Sequence, residues 1–262
     1  MSNPRLPPEL LDHTIDFLQD TEHALRNCCL VSKSWIPRTR KHLFAHIRFL
    51  AEGHLKSWEE IFSDPSTSPS HYTRILYVYC AHVVAAADAG AGGWITGFSR
   101  VVRLEVGDCP SASREPTVSL VPFHGLSPTV KSLRMVLPAL SSTAKLDFVL
   151  SFPLLEDLTA ITIDHDAQDE VSHGLSTAVR PPSSPGFTGS LRLFLRGGMG
   201  PIVRRLLSLP GGIHFRRLDL TWPYERDTSS VVGLVKECSH TLESLRISCN
   251  LLRTSTQFPC PH

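Results

Sequence analysis

A six-residue unit recurs seven times between residues 73 and 247: an apolar residue or threonine, two others, a leucine, one other, and a second apolar residue. It stands at Thr73/Leu76/Val78, Val101/Leu104/Val106, Val130/Leu133/Met135, Leu155/Leu158/Ala160, Thr188/Leu191/Leu193, Phe215/Leu218/Leu220 and Leu242/Leu245/Ile247. The central leucines are 28, 29, 25, 33, 27 and 27 residues apart. A leucine with an apolar residue two positions on describes a short strand with one buried face. Some 20 further residues must then carry the chain back to the same edge, because successive parallel strands cannot be joined by a tight hairpin. Stacking such units builds a parallel sheet over a core that no single unit buries alone.

Three returning helices are expected, over Ala139 to Phe152, Ile202 to Leu209 and Ser229 to Cys238, each carrying leucines, valines or isoleucines at helical spacing. The repeat resembles the leucine-rich repeat in its irregular, divergent kind, since it lacks the asparagine of the standard pattern. The stretch Asp164 to Gly189, with Pro181-Pro182-Ser183-Ser184-Pro185-Gly186, reads as an inserted loop. An ordinary α/β domain with parallel strands is permitted by the same alternation. A solenoid normally ends in a polar capping unit. None is evident before the polar tail Thr254 to His262, so the final repeat reads as incomplete.

The N-terminal region is of another kind. Pro7 or Pro8 can open a helix, where the fixed φ is suitable and the missing N–H is not needed, with Glu9 near the positive helix end. The helix is expected from about Pro8 to Leu18, with Leu11, Ile15 and Leu18 on one side and Asp12, Asp16 and Gln19 towards water. Thr21 is the expected cap of a second helix, whose Leu25, Cys28 and Cys29 share a face. Ser34 is the expected cap of a third, containing Pro37 and the apolar Trp35, Ile36, Leu43 and Phe44. These helices carry more apolar surface than they can bury among themselves, which calls for a partner.

Residues Leu6 to Phe44 resemble an F-box. They carry, in order, Leu6, Pro7, Glu9, Leu10, Leu11, Ile15, Leu18, Leu25, then Leu30-Val31-Ser32-Lys33 and Trp35. Thr14 departs from the family's usual isoleucine or valine, and Pro37 is unusual in the third helix. The resemblance implies docking on a Skp-family adaptor and, through it, on a cullin-RING ubiquitin ligase, with the chain as substrate receptor. The residues it implies for adaptor docking are Leu6, Pro7, Pro8, Leu10, Leu11, Ile15, Leu18, Leu30, Val31 and Trp35, some of which must instead hold the helices together. Buried apolar anchors of this kind are typically worth about 2 kcal/mol or more each.

With 262 residues the chain has room for two domains. The expected division is an F-box at 1–46, a coupling segment at 47–71 and the repeat region at 72–262. His46 to Phe49 reads as a strand, and Leu55, Trp58, Ile61 and Phe62 as a helix face before Asp64 to Pro69 breaks the pattern. Twenty-six basic against 25 acidic side chains leave a net charge of +1, so no electrostatic footprint for nucleic acid or membrane is expected. The short basic runs at Arg38-Thr39-Arg40-Lys41-His42 and Arg204-Arg205 read as solvated helix faces. Seven cysteines without a C-x-x-C pair, no apolar leader after Met1 and no bilayer-length apolar run point to reduced thiols in a cytoplasmic or nuclear protein.

No enzymatic motif is present: no nucleophile elbow, phosphate-binding loop or zinc helix. The glycine clusters at 90–93 and 197–200 lack dinucleotide-binding spacing and read as turns. Asp164-His165-Asp166 and Cys260-Pro261-His262 contain ligand types, but neighbouring residues seldom converge on one ion. No cofactor is expected. The overall expectation is an α/β protein, a three-helix F-box followed by an irregular leucine-rich-repeat-like solenoid, non-catalytic and acting by proximity on an unknown protein target. An F-box scaffold outside a ligase and an α/β hydrolase are the alternatives.

Overall fold

The computed structural model describes residues 7–64, 67–79, 95–107, 120–136, 142–162, 187–195, 200–209, 211–221 and 228–248. Leu6, the clusters at 90–93 and 164–166, the proline-rich run at 181–186 and the tail from 254 lie outside them, as do Cys80, Cys109, Cys249 and Cys260. The chain is α/β, with eight strands and seven α-helices among the described residues. It forms two compact units, Met1–Leu137 with Ser151–Leu154, and Pro138–Leu150 with Leu155–His262.

The first unit opens with α1 (Pro8–Phe17), α2 (Glu22–Val31) and α3 (Ile36–Leu43). Pro8 sits in the first turn of α1 beside Glu9, as expected of a proline-started helix. Thr21 holds the cap position of α2 but makes no side-chain cap bond. The cap expected of Ser34 belongs to Ser32, whose hydroxyl accepts from the Ser34 amide and starts a 3-10 turn, Lys33–Trp35. α3 begins only after it, with Pro37 in the first turn, where no amide is missed.

The chain then enters β1 (His46–Phe49), α4 (Glu52–Ile61), β2 (Ile75–Val78), β3 (Arg103–Gly107) and β4 (Ser132–Val136). All are parallel and neighbours in chain order, and the register sets Ile47, Leu76, Leu104 and Leu133 in one row and Phe49, Val78, Val106 and Met135 in the next. Every one of these side chains is buried. The repeat read from the sequence is thus the physical register of the strands. β1 belongs to it too: Phe44/Ile47/Phe49 repeats the spacing with isoleucine for leucine, so a strand read as part of the coupling segment is the first of the sheet. In each unit a carbonyl two residues before the central position accepts a pair of amides from the following unit, Ala45 from Arg74 and Ile75, Arg74 from Val102 and Arg103, and Val102 from Lys131 and Ser132. The strand starts are thereby aligned before the ladder proper begins.

The coupling between helices and sheet is aromatic. Trp58 of α4 meets Phe44, at the end of α3, edge-on at 6.2 Å, Phe49 of β1 at 5.8 Å, Phe62 at 4.5 Å and Phe98 at 5.7 Å. Such contacts add to the area each ring buries.

The second unit contains α5 (Ser142–Leu150), β5 (Asp157–Thr162), β6 (Ser190–Leu195), α6 (Gly200–Leu207), β7 (Arg217–Thr221), α7 (Thr228–Cys238) and β8 (Ser244–Ser248). Its strands are again parallel and sequential, with Leu158, Leu191, Leu218 and Leu245 in one row. The three expected returning helices are α5, α6 and α7, and each packs on the next. Gly189 is required by close approach, since any Cβ there would strike the Glu156 carbonyl. Two expectations are corrected. Thr188 is exposed, and the inward residue of its unit is Phe187, fully buried and stacked on Phe215 at 5.7 Å, because the unit carries one more residue before its strand. Leu245 and Ile247 of β8, which repeat the buried pattern in sequence, are about two-fifths exposed at 43% and 41%.

That difference sets an expected contrast in urea unfolding. Leu218→Ala removes a side chain 1% exposed and should cost about 3 kcal/mol, whereas Leu245→Ala, its partner in register at 43% exposure, should cost under about 1 kcal/mol. Equal costs would contradict the burial seen at the last strand.

Candidate functional site

The three N-terminal helices bury one set of apolar side chains and expose another. Ile15 of α1 and Leu25 and Cys28 of α2 turn inward, and Thr39 of α3 is fully buried with its hydroxyl donating to the Trp35 carbonyl at 2.8 Å. Outside stand Leu10 (53% exposed), Phe17 (85%), Leu30 (85%) and Val31 (67%). Leu10, Thr14 and Phe17 follow one another at i, i+4 and i+7, so they form a stripe along α1. The exposed Thr14 satisfies its hydroxyl by donating to the Leu10 carbonyl at 2.8 Å. Leu30 and Val31 close α2.

Against the residues expected to dock, the placement is mixed. Pro7, Pro8, Leu10, Leu30 and Val31 are exposed, Leu11, Leu18 and Trp35 are half-buried, and Ile15 is buried and belongs to the helical core. Leu6 lies outside the described residues. Phe17, among the most exposed large apolar side chains, was not singled out by sequence reasoning, although its spacing of seven from Leu10 on one helix was visible.

An ionic cluster locks α1 to α3. The Asp16 carboxylate accepts from Arg38 through both oxygens, with Arg38 Nε 2.6 Å from Oδ1, and lies 2.7 Å from Nε2 of His42. Asp16 was expected to face water, and the basic run 38–42 to be solvated. Instead Arg38 and His42 hold Asp16, while Arg40 lies over the Phe44 ring at 5.9 Å. The hydrogen bond from Arg38, reinforced by His42, holds the Asp16 carboxyl well below the usual carboxylate range, and the same contact raises Arg38. The cluster is solvent-accessible, so its net contribution is modest.

Among the described residues no group of three histidine, cysteine or acidic side chains is placed to hold a metal, and no helix is long and apolar enough to cross a membrane. Cys28, Cys29 and Cys238 are free thiols. No protein-family model, no curated protein and no solved structure matches the chain.

Because the Asp16 carboxyl is depressed in the folded state, its stabilisation is fully present above the unfolded value of about 4 and is lost as pH falls below it. Asp16→Asn should therefore lower the midpoint of thermal unfolding by a few degrees at pH 7, and the gap from wild type should narrow in acid below about pH 4. A gap that persists unchanged in acid would contradict the charge-based role.

Proposed function

We propose that this chain is a non-catalytic substrate receptor, an F-box protein whose helices α1 and α2 dock on a Skp-family adaptor and through it on a cullin-based ubiquitin ligase. The repeated strand units would form a leucine-rich-repeat-like solenoid that presents a protein target. The observation that carries the reading is the division of apolar residues in the helical region. Ile15, Leu25 and Cys28 already supply its interior, yet Leu10, Phe17, Leu30 and Val31 remain in water. Exposed apolar groups gathered on two short helices mark a surface for another protein, in the helix-docking mode. The resemblance of Leu6 to Trp35 to an F-box implies the partner's identity, and Leu10, Leu30 and Val31 belong to that pattern, with Phe17 beside Leu10 on the same stripe.

In this reading the receptor contributes proximity. A target held by the chain is placed beside a charged conjugating enzyme, and the effective concentration so gained drives transfer without a catalytic group on the receptor. The Asp16–Arg38 lock and the Trp58 cluster would serve it by keeping the helices fixed on one another and on β1.

The test is capture of a purified Skp-family adaptor by the full chain. Leu10→Asp with Leu30→Asp, both at exposed positions, should leave the fold intact and weaken adaptor binding at least a hundredfold, since two anchors worth about 2 kcal/mol each are replaced by charges. Ile15→Asp should instead unfold the helical region. A folded wild-type chain that does not bind the adaptor would sink the proposal.

A further inference from the structure

The outer face of β1–β4 carries charge where alternation alone would leave a scattered polar surface. Across the four strands the register aligns Arg48, Tyr77, Glu105 and Arg134 in one row. The Arg48 guanidinium lies over the Tyr77 ring at 4.9 Å. Glu105 is only 1% exposed although it faces away from the leucine row. Its Oε1 accepts from the Tyr79 hydroxyl and lies 3.3 Å from Nη1 of Arg134, while Nη2 of Arg103 stands 3.9 Å from Oε2. Gly107 makes room for this arrangement, because a Cβ there would come within 2.6 Å of the Tyr79 ring. Burial first, and then the bond to Glu105, push the Tyr79 phenol up to about 12, so that it stays a donor.

Two arginines, Arg103 and Arg134, thus share one buried carboxylate. Glu105 holds Arg103 and Arg134 in place but cannot neutralise them, and both remain at least two-fifths exposed, at 45% and 40%. Arg48 is exposed at the other end of the row. Among the described residues of these four strands Glu105 is the sole acidic side chain. The surplus is positive and gathered around a carboxylate that accepts from the Tyr79 hydroxyl, which suits recognition of further carboxylates.

We propose that the outer face of β1–β4 binds an extended acidic segment of a partner protein, laid across the strands with two carboxylate side chains four residues apart and an apolar side chain midway. The spacing follows from the sheet. Three strand intervals separate Arg48 from Arg134, about 14 Å, and four residues of extended chain advance about 13 Å. Side chains at the first, third and fifth positions then share a face, which sets one acid at Arg48, the second at Arg103 and Arg134, and the apolar residue between them. This deepens the receptor reading by naming the chemistry of the target, and its biological meaning rests on that reading.

The probe is a fluorescein-labelled peptide of alanine and serine with glutamates four positions apart around a leucine, titrated with the full chain and followed by polarisation. Saturable binding is expected, weakened by added salt and at least tenfold weaker when both glutamates are replaced by glutamine or when the chain carries Arg48→Gln and Arg134→Gln. Those variants should capture the Skp-family adaptor as wild type does, so a failure here is separable from a failure of adaptor docking. Equal binding of the glutamine peptide, no binding by folded wild-type chain, or a tenfold preference for phosphoserine in place of the glutamates would each overturn the assignment. The peptide comparisons use wild-type protein and stand even if the double variant does not fold.

Discussion

Parallel strands joined in chain order must be separated by a return path, and that constraint governs most of this molecule. A residue at the centre of one strand lies directly beside its counterpart in the next, so Leu76, Leu104 and Leu133 form one continuous row, and Leu158, Leu191 and Leu218 another. No unit closes a core alone. Each leucine is covered by its neighbours and by whatever the return path brings back: Phe98, Phe123 and Leu126 between the strands of the first unit, and the helices α5 to α7 in the second. The paired amides on Ala45, Arg74 and Val102 fix where each strand begins, which keeps the rows from slipping.

The helical region obeys a different constraint. Three helices of 8 to 10 residues are too short to be stable alone, and they are held by contacts outside their own ladders. Asp16 joins α1 to α3, and Phe44 carries the end of α3 onto Trp58 and so onto β1. With their inner faces so engaged, α1 and α2 keep Leu10, Phe17, Leu30 and Val31 exposed. On the receptor reading, one face of the first unit grips the ligase and another, charged one reads the target.

Much of this was legible in the sequence, and the exceptions have physical causes. The strands β2 to β8 followed from leucine spacing, because burial of one strand face leaves a two-residue signature, and the three late helices followed from apolar residues at helical spacing between the units. β1 was seen as a strand but not as a member of the repeat, since its central residue is Ile47 and the unit begins at Phe44, already assigned to a helix. Phe187 was missed because one extra residue displaced the inward position. Asp16 looked solvated because its partners, Arg38 and His42, are more than twenty residues away, and pairing across helices leaves no local pattern. The burial of Glu105 was equally hidden, since it depends on Tyr79, just past β2, and on Arg134 of β4. Along α1 exposure and burial alternate, and only the packed helices separate Ile15 from Leu10 and Phe17.

Hydrogen–deuterium exchange of the full chain, with and without a Skp-family adaptor, separates docking by the helices from docking by the sheet. Adaptor should slow exchange in α1 and at the end of α2 through Trp35, and leave β3 and β4 unchanged. Protection confined to the strands, or none in the helices at saturating adaptor, would contradict docking by the helices.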